Sequence, residues 1–229
     1  MILSFFTLKM TGIETSYWIY ALGFLGQGFF GARLLVQLYL SERAGKVVSP
    51  TIFWLFSVGA SFLFLLYGLF RSDLVIIGGQ TISFYIYIRN LQLKRYWVTI
   101  HFALRFILLI LPIITIMGWL STSATISTQL HFNNLLHPIM FLGAIGQLAL
   151  NLRFVFQWWY SEKHKTSLLP LGFWRISTWA SVLVLVYAGF HPIYGTDPVL
   201  LVAQGFGIIV YIRNMVIYKK SIGAEKATG

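Results

Sequence analysis

Most of this chain is written twice. Gly26-Gln27, Arg33, Gln37, Ser41-Glu42, Pro50, Phe53-Trp54, Ser57, Ser61 and Tyr67 return 120 positions later as Gly146-Gln147, Arg153, Gln157, Ser161-Glu162, Pro170, Phe173-Trp174, Ser177, Ser181 and Tyr187. After a four-residue insertion the offset becomes 124. Asp73, Gln80 and Tyr87-Ile88-Arg89-Asn90 then recur as Asp197, Gln204 and Tyr211-Ile212-Arg213-Asn214. Across residues 21–70 and 73–90, 25 of 68 positions are identical to their partners. A repeat of this length makes each half one structural unit, and whatever one half folds into the other must fold into as well. The identities fall mainly on polar, aromatic and small residues while the aliphatic filler has drifted, so the halves share a polar face.

A composition of 58% hydrophobic and 10% charged residues, with mean hydropathy +0.77, excludes a soluble domain. Several apolar runs reach the ~18–25 residues that cross about 30 Å of hydrocarbon. Seven spans are expected, at 17–40, 51–70, 74–92, 97–119, 138–160, 170–190 and 198–218. Each repeat holds three of them. The unpaired span 97–119 turns the chain once more and makes the copies parallel. The expected fold is therefore an all-α integral membrane protein of seven transmembrane helices, two parallel three-helix repeats joined by a linker helix. Its units are 17–92, a linker helix with an external Ser/Thr-rich segment at 93–136, and 137–220.

The net charge of +11 is placed as a membrane protein places it. With the N-terminus outside, Lys9 and Arg71 flank spans on the outer side. Eleven basic residues, among them Arg43, Lys46, Arg89, Lys163, Lys165, Arg213, Lys219 and Lys220, collect on the other. The positive-inside rule puts that side, and the C-terminus, in the cytoplasm. Basic residues so close to membrane edges serve anionic headgroups rather than nucleic acid. There are no cysteines, hence no disulfides or thiolate chemistry. The first ten residues lack a basic region ahead of an apolar run, so the first span is the expected insertion signal. The tail 221–229 is polar and expected to fray.

Arg33, Gln37 and Ser41 stand at i, i+4 and i+8 and so form one stripe along the first helix; Arg153, Gln157 and Ser161 repeat it. Each arginine lies about 12 Å from its Ser-Glu loop at 1.5 Å per residue. Gln27 and Gln147 lie deeper still. An arginine inside the membrane costs at least ~2.5–3.5 kcal/mol on insertion scales, so two in equivalent places imply partners. One reading is structural: snorkelling, or pairing with Glu42 and Glu162. The other is an anion site, since guanidinium matches phosphate in a planar, bidentate way. Trp54, Ser57 and Ser61 share a face of the second helix, as do Trp174, Ser177 and Ser181. They either pack helices closely or line a cavity for a sugar-like group. Gln80 and Gln204, deep in the third helices, need hydrogen-bond partners, with the first-helix glutamines as candidates. Arg89 and Arg213 read as interfacial anchors.

No catalytic constellation is visible. Asp73 and Asp197 are external, and Glu42 and Glu162 lie at the basic ends, so no carboxylate occupies a span centre. His131, His137 and His191 lack an assured acidic partner, and no metal site or cofactor is expected.

The three-one-three plan resembles the PQ-loop superfamily, which includes the SWEET sugar transporters. The Pro-Gln dipeptide of that group is absent, and Asn90 and Asn214 sit near the cytoplasmic ends rather than mid-helix, so no sugar-binding role passes to them. The motifs are similar to a more specific family. Gly-Gln, then Arg-Phe-Val-Phe-Gln-Trp-Trp-Tyr-Ser-Glu-Lys at 153–163, Pro-x-x-Phe-Trp at 170–174 and Tyr-Ile-Arg-Asn at 211–214 resemble the lipid A biosynthesis N-terminal domain. That resemblance implies a bacterial (Gram-negative) inner membrane and lipid-linked sugar metabolism, without implying catalysis by this chain.

Joined, these readings favour a transporter or flippase for a lipid-linked sugar, a polyprenyl-phosphate sugar or another phosphate-bearing glycolipid such as a lipid A precursor. Arg33 and Arg153 would hold the phosphate, with Gln27, Gln147, Gln37 and Gln157 around it. Trp54, Trp174, Ser57 and Ser177 would line the sugar path, with Gln80 and Gln204 deeper. The alternative is a membrane scaffold that recruits a glycosyltransferase through its basic loops. Lipid-A-disaccharide synthase activity itself and SWEET-type transport of a free sugar fit less well.

Overall fold

The computed structural model describes residues 7–10, 13–70, 74–122, 138–190 and 198–228. A short antiparallel hairpin, β1 (Thr7–Met10) and β2 (Ile13–Ser16), pairs Lys9 with Glu14 and leads into the helices. Seven long helices follow: α1 (Tyr17–Ala44), α2 (Thr51–Phe70), α3 (Leu74–Leu93), α4 (Phe102–Thr122), α5 (Pro138–His164), α6 (Leu171–Gly189) and α7 (Pro198–Thr228).

Five of the seven expected spans sit inside these helices, while 97–119 begins ahead of α4 and 170–190 overruns α6 by one residue at each end. The fourth starts five residues later than expected, because the chain first makes a single 3₁₀ turn at Trp97–Thr99. The first and fifth run on through the Ser-Glu motif to Ala44 and His164. The tail does not fray at Ser221: α7 stays helical to Thr228. Ala, Glu and Lys in 224–227 are good helix formers, which offsets their polarity. The hairpin was not legible in the sequence. Asp73, the three histidines at 131, 137 and 191, Asp197 and most of the segment 120–136 lie outside the described residues.

Among the described residues, five helices are long and apolar enough to cross a membrane by length and composition: α1, α2, α4, α6 and α7. They mark a helical membrane protein. The other two, α3 and α5, carry Gln80 and Asn90, and Arg153 and Gln157, within their length. Where those polar residues go defines the candidate site below.

Consecutive helices pack within each half, α1 on α2 on α3 and α5 on α6 on α7; the halves meet where α3 packs on α5 and α1 on α7. α4 leans on α2 and is otherwise exposed along most of its length, with Phe102, Phe106, Ile114 and Met117 turned outward. Glycine permits the close approach of first and second helices. A Cβ on Gly26 would stand 2.8 Å from the Phe64 ring, and one on Gly146 2.8 Å from Val184 and 3.0 Å from the Ala180 carbonyl oxygen. Pro50 and Pro170 immediately precede α2 and α6, where a missing N–H costs nothing, and their carbonyls accept from Phe53 N (3.1 Å) and Phe173 N (3.0 Å).

The core is aromatic, and it repeats. Phe53 and Trp54 meet edge-on with centroids 4.8 Å apart, and Phe173 and Trp174 do so at 4.9 Å. Trp54 then tilts onto Tyr87 at 5.9 Å, as Trp174 does onto Tyr211 at 6.0 Å. Edge-to-face and tilted pairs of this kind set ring positions as well as burying area.

Candidate functional site

The i, i+4, i+8 stripe is buried in both halves. Arg33, Gln37 and Ser41 are 3%, 0% and 0% exposed, and Arg153, Gln157 and Ser161 are 8%, 0% and 0%. The stripe faces inward and builds three layers, which run from the basic end of the helices toward the middle.

The outermost layer is ionic and exchanges partners between halves. Glu42 at the end of α1 accepts from Arg213 of α7, while Glu162 at the end of α5 accepts from Arg89 of α3. Arg89 Nη1 also donates to Gln92 (2.9 Å), and Lys165 Nζ reaches Glu162 at 3.5 Å. The Arg89 guanidinium holds the Glu162 carboxyl below the usual carboxylate range, against a smaller opposing effect of desolvation. Neither glutamate pairs with Arg33 or Arg153, so the structural pairing considered from sequence is corrected. Nine residues along a helix is too far for a glutamate to reach back when an arginine of the other half stands beside it.

One turn deeper lies an amide layer, also crossed. Gln157 Nε2 donates to Asn90 Oδ1 (2.8 Å), and Asn90 Nδ2 donates back to Gln157 Oε1 (3.0 Å). Gln157 Nε2 also reaches Ser161 Oγ and the Leu168 carbonyl, both at 2.8 Å. In the other crossing Gln37 Nε2 donates to Asn214 Oδ1 and Ser41 Oγ, both at 2.8 Å. Each serine in turn caps the loop that follows, accepting from Val48 N (3.1 Å) and Leu168 N (3.0 Å). Sequence reasoning set Asn90 and Asn214 aside for lying near helix ends. Both are fully buried and join the halves.

The third layer is cationic. Arg33 Nη1 donates to Ser57 Oγ (2.7 Å), and Arg153 Nη1 to the Tyr211 hydroxyl (2.9 Å). Both guanidiniums sit against the Phe154 ring, 5.0 and 4.9 Å from its centroid, which holds the two charges within about 10 Å of each other. Phe30 (4.2 Å) and Phe53 (5.1 Å) complete an aromatic wall at Arg33, and Phe173 (5.5 Å) and Tyr211 (5.4 Å) one at Arg153. Desolvated cation–π contacts are worth about 2 kcal/mol and tolerate the charge without neutralising it. Glu42 and Glu162, the carboxylates whose side chains the structure describes, are taken up in the ionic layer. The Nε of each buried arginine has no hydrogen-bond partner among the described residues.

The other candidate residues divide. Trp54, Trp174, Ser57 and Ser177 are all fully buried; Ser177 bonds its own Phe173 carbonyl (2.6 Å) rather than Arg153. Gln27 and Gln147 are exposed and do not join the arginines: six residues from the arginine carries each about 240° around the helix. Gln204 accepts from Ser181 (2.7 Å), and Gln80 Oε1 is buried without a partner. The expectation that first-helix glutamines satisfy these two is corrected, since Gln37 and Gln157 are already engaged with Asn214 and Asn90.

Both copies of Arg-x₃-Gln-x₃-Ser-Glu on a first helix and Tyr-Ile-Arg-Asn on a third fall within matches to a known family. Its model, described as the lipid A biosynthesis N-terminal domain, matches the chain twice, over residues 22–92 and 142–216. The chain belongs to the lipid A biosynthesis N-terminal domain family. Both matches contain the whole stripe and the whole Tyr-Ile-Arg-Asn motif, so the family pattern coincides with the internal repeat. Among curated proteins the chain is similar to the lipid-A-disaccharide synthase of Chlamydia pneumoniae, 29% identical over 211 residues. It is similarly close to that of Chlamydia felis, 28% over 216 residues. Each alignment covers 89% of this chain and 34% of the relative, so the chain spans about a third of the length of the curated relatives it matches. No solved structure matches it significantly.

Proposed function

We propose that this member of the lipid A biosynthesis N-terminal domain family binds the phosphate of a lipid-linked sugar and carries it across the bacterial inner membrane. The observation that carries the reading is the cationic layer. Two guanidiniums are buried against one phenyl ring, each with an unpartnered Nε, and no described carboxylate faces them. Buried charge is retained where it has a partner or a task. An anion drawn between Arg33 and Arg153 would satisfy both Nε groups and offset the mutual repulsion of the cations. Phosphate suits the guanidinium fork, and a polyprenyl-phosphate sugar or lipid A precursor supplies phosphate, sugar and hydrocarbon in one molecule. Trp54, Trp174 and the neighbouring serines would form the wall beside the sugar.

In this reading the chain is two parallel three-helix units, 17–92 and 137–220, with α4 in the linker 93–136, a three-one-three plan of PQ-loop type. The N-terminus is periplasmic and the C-terminus cytoplasmic. Rocking of one unit against the other would expose the arginines alternately to the two sides.

Native mass spectrometry of gently purified protein tests this. Wild type is expected to retain a phosphate-bearing glycolipid that Arg33→Ala/Arg153→Ala loses. Equal retention by both proteins would make the arginines structural.

The scaffold reading is favoured by a separate observation: the relatives named lipid-A-disaccharide synthase are about three times longer, so a module of this kind can be part of a larger protein. There, neutralising Lys163, Lys165, Lys219 and Lys220 on the basic face would abolish function while the arginine variant keeps it.

A further inference from the structure

The two seams that join the halves use the same motif, yet they are built unequally. In the amide layer the differences favour one side, although the second Arg213–Glu42 bond (2.9 Å) is shorter than its Arg89–Glu162 counterpart (3.2 Å) and an open groove lined by Ile82, Tyr85, Val155 and Trp158 runs along α3–α5. In the α3–α5 seam Asn90 and Gln157 bond reciprocally, and Ser167 Oγ adds a 2.8 Å bond to Asn90 Oδ1 and a 3.0 Å contact to Ser49 Oγ. Ser49 in turn accepts from Trp54 Nε1 at 2.8 Å. The repeat counterparts of Ser167 and Ser49 are Val47 and Leu169, which have no hydroxyl. The α1–α7 seam accordingly has a single amide bond. Gln37 Oε1 and Trp174 Nε1 are both buried without a partner; Asn214 Nδ2 donates to its own helix at the Val210 carbonyl (3.0 Å), as Asn90 Nδ2 does at Ile86 (2.9 Å), but lacks the second bond that Asn90 makes across to Gln157.

The ionic layer repeats the bias. Arg89–Glu162 is braced by Gln92 and Lys165; their counterparts beside Arg213–Glu42 are Val216 and Gly45. Lys165 even holds a left-handed backbone (φ 51°), a conformation that its counterpart Gly45 (φ 65°) adopts without strain. Deeper in, Phe154 of α5 meets Tyr87 of α3 edge-on at 5.0 Å, whereas the repeat counterpart of Phe154 on α1 is the partly buried Leu34, which has no ring to offer.

Two seams of one design, one satisfied in its amide layer and one left there with orphaned polar atoms, do not open with equal ease. We propose that the α3–α5 seam is the permanent hinge and that the α1–α7 seam parts, serving as the lateral port through which the hydrocarbon chain of the bound phospholipid-linked sugar reaches the membrane. Parting α1 from α7 uncovers Arg33, one turn from Gln37 on α1. It also uncovers Tyr211, one turn from Asn214 on α7, whose hydroxyl holds Arg153. The head group can then lie on the arginines while the tail stays in lipid. This inference rests on the phosphate reading above for its ligand, but the motion itself does not.

The chain has no cysteine, so spin labels can be placed at will. Repeat-equivalent exposed positions span each seam: Arg43→Cys with Lys220→Cys across α1–α7, and Lys163→Cys with Tyr96→Cys across α3–α5. Pulsed electron paramagnetic resonance in phosphatidylethanolamine/phosphatidylglycerol nanodiscs should give two distance populations for the first pair and one for the second. Val47→Ser/Leu169→Ser, which installs the missing hydroxyl relay, should collapse the first pair to one population. Asn90→Ala should split the second. A 43/220 distribution no broader than 163/96 overturns the port, whatever lipid the protein retains. Added undecaprenyl phosphate should shift the 43/220 populations in the wild-type background. A 43/220 pair that stays bimodal while Arg33→Ala/Arg153→Ala responds to undecaprenyl phosphate as wild type does supports the seam and removes the arginine reading alone.

Discussion

The amide layer and the arginine layer lie one helical turn apart on the same stripe, and they are finished differently. Around Asn90 and Gln157 almost every donor meets an acceptor. Around Arg33 and Arg153, two charges share a phenyl ring and two Nε groups meet nothing. Both layers descend from one duplicated motif, so the contrast is one of role. A satisfied buried network rigidifies and fixes register, whereas an unsatisfied charged one stays costly until something binds. The amide layer holds the halves together, and the arginine layer is what they are held together around.

The largest effect should come from removing the charges. If the arginines were part of the framework, Arg33→Ala/Arg153→Ala would destabilise the protein severely. Each buried arginine costs at least ~2.5–3.5 kcal/mol to insert, and its cation–π contacts return about 2 kcal/mol. The ligand-free double variant should therefore melt no lower than wild type while its affinity for a phosphate-bearing lipid falls by about 100-fold or more, the loss of two charge-assisted pairs of ~1.5–3 kcal/mol each. Thermal melting in detergent beside lipid titration reads both. A melting point that collapses would move the arginines into the framework and erase the contrast.

Within the amide layer the contrast turns into a difference between seams. Interhelical hydrogen bonds in membranes average ~0.6 kcal/mol with a maximum near 1.7. Asn90→Ala removes a reciprocal pair and the Ser167 bond, and should cost about 1–2 kcal/mol. Asn214→Ala removes one interhelical bond and should cost about 0.5 kcal/mol. Equal losses in reversible unfolding of the two variants would mean that the orphaned Gln37 oxygen carries no consequence.

The tryptophans probe the same inequality at a smaller scale. Trp54 Nε1 donates to Ser49, and Trp174 Nε1 has no acceptor because Leu169 stands in the place of Ser49. Replacing the indole N–H with phenylalanine should cost more at position 54, by about 0.5–1 kcal/mol, the net worth of one hydrogen bond. Thermal melts of Trp54→Phe and Trp174→Phe decide it; identical shifts would show that loss of ring volume alone governs both.

How much of this was readable in advance depends on whether the physics is local. The arginine stripe was legible because i, i+4, i+8 fixes a helix face without any knowledge of neighbours, and all six of its residues are buried as that spacing requires. The helices were legible from apolar run length, although α4 begins after a 3₁₀ turn that hydropathy cannot see. The crossed partners were not. Asn90 and Asn214 look peripheral along their own helices, and only the packing of α3 on α5 and α1 on α7 buries them. A signal did exist: each asparagine follows an arginine in a motif kept in both halves, and each Ser-Glu recurs too, so donors and acceptors were present in matching numbers. Gln27 and Gln147 show the opposite failure. Their recurrence suggested a site, but the helix turns them outward, and nothing in the structure explains why both are kept.

The smallest predicted effect concerns pH and the ionic layer. Glu162 is hydrogen-bonded by Arg89 and its carboxyl is held below the usual range, so its bridge contributes stability above the unfolded carboxylate value of about 4.3. That contribution disappears as pH falls through the depressed folded value. Comparing wild type with Glu162→Gln between pH 8 and pH 3, the stability difference should be flat down to about pH 5 and vanish on further acidification. The α3–α5 seam should not part at low pH even so, because its amides and serines do not titrate. An acid-induced separation of the 163/96 labels would show that the ion pair, rather than the Asn90–Gln157 exchange, is what keeps that seam closed.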